Sequence, residues 1–178
     1  MPYQLDPDRS TPSGWMYGIF YDWWNDHACC VAGTPKTPPI FKMGIEKTCT
    51  NVSSEIWCRY WQRTLFEQPA AIGSKDHRSV GSLFMHVNCP QTGIDEAYDK
   101  GRKLAEGVRN AYILLYRRKR KPNTRSTSIL RPPAPYSNPH GVWFRNQRIR
   151  EISPYRSHYV FTVAINYEYY FRPRRHSQ

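Results

Sequence analysis

Between His158 and Phe171 the chain alternates without interruption: Tyr159, Phe161, Val163, Ile165, Tyr167, Tyr169 and Phe171 fall on one side, opposite Val160, Thr162, Ala164, Asn166, Glu168 and Tyr170. Successive side chains of a strand point to opposite faces, so this run predicts a long β-strand whose tyrosine-rich face lies in a core. A strand with one buried face needs a neighbouring strand to pair with and a layer above it. That requirement limits what the other 164 of the 178 residues (178 − 14) can be.

Three further stretches have strand character. Val142–Ile152 precedes the alternating run and joins it through Ser153-Pro154-Tyr155, which reads as a turn. From Glu55 to Phe66, Ile56, Cys58, Tyr60, Thr64 and Phe66 share one side, and Trp57, Arg59, Trp61 and Arg63 the other. Val80–Cys89 repeats the alternation with Leu83, Met85 and Val87 on one face. A turn-rich gap, Ile72–His77, separates these two stretches and suggests a long antiparallel pair.

Two segments keep the helical period instead. Over Ser13–Ala28 the rows Trp15, Ile19, Trp23 and Met16, Phe20, Trp24 make one broad apolar face, with Ser13 as the predicted N-cap. From Ile94 to Leu115, Ala97, Tyr98, Gly101, Leu104, Ala105, Val108, Ala111 and Tyr112 recur at 3.6-residue spacing, with Thr92, Asp95 and Glu96 as a start signal. Prolines punctuate the chain at Thr34–Pro39 and Pro122–Pro139. The expected fold class is α+β, one domain over residues 1–178: an antiparallel or mixed sheet of four to five strands packed with two main helices. A long basic proline-rich loop at 117–141 and flexible ends at 1–12 and 172–178 complete the picture.

The charge, +12 overall, is unevenly placed. Residues 1–116 hold 12 Lys/Arg and 12 Asp/Glu, and residues 117–178 hold 14 and 2. Such asymmetry points to an anionic partner or a basic arm. The candidate contacts are Arg117, Arg118, Lys119, Arg120, Lys121, Arg125, Arg131, the strand residues Arg145, Arg148 and Arg150, and Arg172, Arg174 and Arg175. Cations so spaced can neutralise phosphates, and Trp143, Phe144 and Tyr155 could stack on bases. A basic nucleic-acid-binding module is therefore one reading; a basic rim against acidic protein partners is the other.

Catalytic signatures are missing: there is no GxGxxG, P-loop, GxSxG or HExxH. Asp22, Asp26 and His27 read as a solvated helix face. Cys29, Cys30, Cys49, Cys58 and Cys89 lack the paired spacing of a zinc site and read as free thiols of a reducing compartment. No enzymatic activity, cofactor or metal is expected. No run approaches the roughly 20 apolar residues that span a bilayer, so no membrane partner is expected, and the N-terminus lacks a secretory pattern.

The strand LFMHVNCP (83–90), the helix EAYDKGRKLAEGVRNAY (96–112), and the final GVWFRNQRIREISPYRSHYVFTVAINYEYYF (141–171) together resemble the tail terminator, or tail completion, proteins of long-tailed bacteriophages. The likeness spans residues 13–171 in element order and 83–171 in wording. It implies a non-enzymatic structural subunit of the virion tail and neck, assembled in the host cytoplasm. Copies of such a subunit form a ring, usually of six, that ends the tail tube and meets the tube protein below and the head connector above. DNA would pass through the ring. On this reading Trp57, Trp61 and Trp143, on the second faces of their strands, are the surface offered to neighbouring copies. The basic loop and the aromatic density of the first helix depart from the family pattern.

Overall fold

The computed structural model describes residues 6–42, 55–73, 75–91, 96–117, 140–155 and 157–172. The first helix, α1, runs Pro12–Ala32. Its N-cap is Thr11 rather than Ser13: the Thr11 Oγ1 accepts from the Gly14 N–H at 3.0 Å, with Pro12 at the first helical position, where its missing N–H costs nothing. Ser13 lies inside the helix and donates to Gln62 Oε1 at 2.7 Å. Gly33, at φ 68°, ends the helix in the left-handed conformation that glycine adopts without strain. The Trp24 indole N–H then donates to the Pro38 carbonyl at 2.8 Å and holds the proline-rich stretch against α1.

Five strands follow: β1 Ile40–Lys42, β2 Trp57–Pro69, β3 His77–Pro90, β4 Trp143–Tyr155 and β5 His158–Phe171, with the second helix α2, Ala97–Arg117, between β3 and β4. The sheet order is β1-β2-β3-β5-β4, and every pairing is antiparallel except the parallel β1–β2 edge. The fold is thus α+β with a mixed sheet. The alternating strand β5 lies between β3 and β4, paired with β3 over its whole length.

Two details of strand phase differ from simple alternation. Leu65 is an extra residue in β2, because Thr64 pairs with Gly81 and Phe66 with Val80. The bulge turns Phe66 to the side opposite Cys58 and Tyr60, correcting its expected place on their face. Ser153-Pro154-Tyr155 belongs to β4 rather than to a turn: Tyr155 pairs with His158, and Ser157, just before β5, has φ 61°. In α2, Glu96 has φ 57° and stands just outside the helix, its carbonyl accepting from the Lys100 N–H. Thr92 and Asp95 lie outside the described residues.

Both helices cover the same face of the sheet. Tyr17 and Phe20 of α1 meet Tyr60 of β2, Trp15 stacks on Phe144 of β4, and α2 packs across β3, β5 and β4. Tyr112 of α2 donates to the Met16 carbonyl at 2.9 Å and ties the helices together. The core is built largely of rings, with Trp24, Tyr60, Tyr112, Tyr167, Phe20 and Phe161 fully buried, each contributing about 1.5–3 kcal/mol from burial. Close approach needs small residues at two points. Tyr167 lies over Gly81, where a Cβ would sit 2.4 Å from the phenol oxygen, and its hydroxyl meets Gln62 Nε2 at 3.0 Å and Thr64 Oγ1 at 3.1 Å. Gly101 lets α2 descend onto Phe161 and Cys89.

Candidate functional site on the uncovered face of the sheet

The helices occupy one face, and the described residues place nothing over the other. Strand register fixes what that face carries. β2 contributes Trp57, Arg59, Trp61, Arg63 and Phe66, and β3 contributes Arg78, Phe84, His86 and Asn88. From β5 come Val160, Thr162, Ala164, Asn166, Glu168 and Tyr170; from β4, Trp143, Arg145, Arg148, Arg150 and Ile152.

The β1–β3 side is aromatic. Phe41 meets Trp57 edge to face at 5.5 Å, Arg59 lies over the Trp57 ring at 5.6 Å, and Trp61 stacks on Phe84 at 5.2 Å. His86 stands edge-on to Trp61 at 4.2 Å. Burial, and secondarily the Arg59 charge, push the His86 imidazole down to about 4, so it is neutral near pH 7 and contributes no charge to this face. The centre is low: Val160, Thr162 and Ala164 are buried between taller neighbours on both sides.

On the β4 side the face turns cationic, and a bulge makes it so. Arg145 pairs with Asn166 and Arg148 with Ala164, so Asn146 and Gln147 together oppose Ile165, with Asn146 at φ 53°. Asparagine tolerates that left-handed conformation better than most residues. Strict alternation would send Trp143 and Arg145 to one side and Arg148, Arg150 and Ile152 to the other. With the extra residue all of them face outward, in step with Glu168, Asn166, Ala164, Thr162 and Val160 of β5.

A single carboxylate, Glu168, serves this face among the described residues. It accepts from Arg78 Nε at 2.8 Å and Tyr170 Oη at 3.0 Å, with the Arg145 guanidinium at 3.7 Å. These donors, Arg78 first, hold its carboxyl below the usual carboxylate range. Arg59, Arg63, Arg78, Arg145, Arg148 and Arg150 therefore stand against one already neutralised acid.

Of the residues singled out in the sequence, Trp57, Trp61, Trp143, Arg145, Arg148 and Arg150 come together on this one face. Arg172 does not join them as a free cation: its guanidinium is paired with Asp76 at 2.8 Å beside the β2–β3 turn. Arg117 is the last residue of α2, and Arg118, Lys119, Arg120, Lys121, Arg125, Arg131, Arg174 and Arg175 lie outside the described residues. Sequence reasoning missed Phe84, Arg78, Glu168 and Tyr170 as members of the same surface. The even-numbered positions of β3 and β5 carried the signal, and it needed the β3–β5 register to be read.

Asp22 is ion-paired with Arg9, and burial pushes the Cys89 thiol up to about 12 and the Cys58 thiol well above its ordinary value. Cys29, Cys30, Cys58 and Cys89 are free. Among the described residues no three His, Cys, Asp or Glu side chains converge as a metal site. No helix among them is long and apolar enough to cross a membrane.

No family model matches this chain, and no curated protein matches it. A solved structure whose name states no function aligns with 92% of this chain and 99% of its own length, at 12% identity and a TM-score of 0.48. A likeness at that level carries no argument about function.

Proposed function

We propose that the chain is a structural subunit of a phage tail, a tail terminator whose copies close into a ring, usually of six, on the end of the tail tube. There it meets the tube protein on one side and the head connector on the other, within the virion. The observation that carries this reading is the aromatic half of the sheet face that the described residues leave uncovered, where Trp57, Trp61 and Phe84 are only half-buried. Indole and phenyl rings on a sheet face, with arginine beside them, are the composition that protein interfaces favour. A closed ring gives each such surface a partner without leaving an open end.

Light scattering of the purified full chain, with negative-stain imaging, tests the reading. Rings are expected, and W57S/W61S protein should fall to monomers while keeping its circular dichroism. A chain that stays monomeric at high concentration and does not associate with tail tubes would sink the proposal.

A further inference from the structure

The rank on β4 is a different surface from the aromatic patch and has its own chemistry. Two residues of strand advance about 6.7 Å, so Arg145, Arg148 and Arg150 stand at even steps along an edge, each opposite every second residue of β5. Arg148 and Arg150 are exposed and form no salt bridge among the described residues, and the Arg145 side chain is 66% exposed. At one end of the rank Trp143 and Tyr170 meet edge to face at 5.9 Å, exposed by 42% and 46%. Two large rings are thus left in water at the end of a row of cations.

We propose that this rank is a single-stranded nucleic-acid site, with Arg145, Arg148 and Arg150 contacting successive phosphates and Trp143 and Tyr170 offering their rings to bases. Charge complementarity selects the occupant. Glu168, the carboxylate within reach, accepts from Arg78 and Tyr170 and lies 3.7 Å from Arg145, so its charge is offset by two guanidinium groups while Arg148 and Arg150 stay clear of it. Cations opposite every second residue of β5 match a polymer with a regular charge repeat. Exposed rings on a sheet surface let single-stranded bases splay out and stack, as a duplex, with its bases paired inside, cannot. An acidic peptide would satisfy the arginines but leave the rings without use. The inference goes beyond the ring reading and stands whether or not the chain forms one.

The test is fluorescence anisotropy with a labelled oligothymidylate of about 20 nucleotides, titrated with the full chain from about 50 mM salt upward. R145S/R148S/R150S should lower the salt slope by about 2, since each phosphate contact on a single strand contributes roughly 0.7, while the triple lysine variant keeps it. W143A should weaken binding about 10-fold with the slope unchanged. Circular dichroism of each variant establishes that the fold is retained. No binding at about 50 mM salt would overturn the proposal. So would a slope that the triple serine variant leaves intact but that falls when Arg117–Lys121 are changed to serine. Equal affinity for polyglutamate would assign the surface to an acidic protein, and duplex binding unaffected by W143A would remove the single-strand reading.

Discussion

Gly101→Ala separates what a helix prefers from what this helix must fit. At an unencumbered interior position, replacing glycine with alanine stabilises a helix by up to about 1 kcal/mol. At position 101 the added Cβ would sit 2.6 Å from Phe161 Cε2 and 2.8 Å from Cys89 Sγ. Neither neighbour can step aside: both are buried, and the Phe161 ring is held edge to face by Tyr98 at 5.3 Å. Overpacking of this kind costs about 1–3 kcal/mol, so the net effect is a loss of up to about 2 kcal/mol, or as much as roughly 8 °C in Tm for a chain of this size. Urea denaturation followed by circular dichroism reads it directly. Phe161→Leu withdraws the ring edge and should cost about 1–2 kcal/mol by itself as a cavity. Combined with Gly101→Ala it should lose less than the sum, with a coupling of about 1 kcal/mol. A Gly101→Ala protein more stable than the parent would refute the packing argument outright.

Three more predictions concern groups buried in the sheet. Among the described residues the buried Tyr60 hydroxyl has no hydrogen-bond partner, so Tyr60→Phe should raise stability by about 1 kcal/mol; a clear loss on thermal melting would mean that the hydroxyl is satisfied. His86 titrates from its ordinary 6.5 down to about 4 on folding. The unfolded chain therefore takes the proton first, and the stability of the neutral imidazole is complete above pH 6.5 and drains away toward pH 4. His86→Gln should flatten the pH dependence of the urea midpoint in that window, and an unchanged curve would contradict the burial argument. Glu168 is also held below its ordinary 4.5, so its contribution is present above that pH and lost below it. Glu168→Gln should flatten only this lower limb.

The sequence made the elements legible and left their phase open. The strand His158–Phe171, the β2–β3 pair and the face of α2 bearing Leu104, Ala105, Val108 and Tyr112 could be read directly, because burial on one side imposes a period on the residues. Bulges interrupt that period without marking it. Nothing in RTLFEQP announces that Leu65 is supernumerary, and nothing in RNQRIR singles out Asn146 and Gln147, since each bulge is set by pairing with a strand distant in sequence. The candidate surface suffered most. Trp57, Trp61 and the β4 arginines were visible as residue types, but Glu168 read as one polar position in an alternating strand until register placed it between Arg78 and Arg145. The Thr11 cap was hidden for a simpler reason: Ser13 is an equally good capping residue, and Pro12 between them decides for the earlier one.

The bulge at Asn146–Gln147 makes strand pairing a determinant of surface chemistry. Because a strand exposes alternate residues, pairing both residues regularly with β5 would invert everything that follows up to Ile152: the side chains of Arg148 and Arg150 would turn toward the helices, and Ile149 and Glu151 toward the outside. Removing one of the two residues would instead leave a single residue opposite Ile165 and keep Arg145, Arg148 and Arg150 outward, so a three-nucleotide deletion at this point spares the cationic margin. The outer charge of this sheet is therefore encoded in how the chain is paired as much as in its residues, and relatives of this chain are better compared by strand phase than by composition or length.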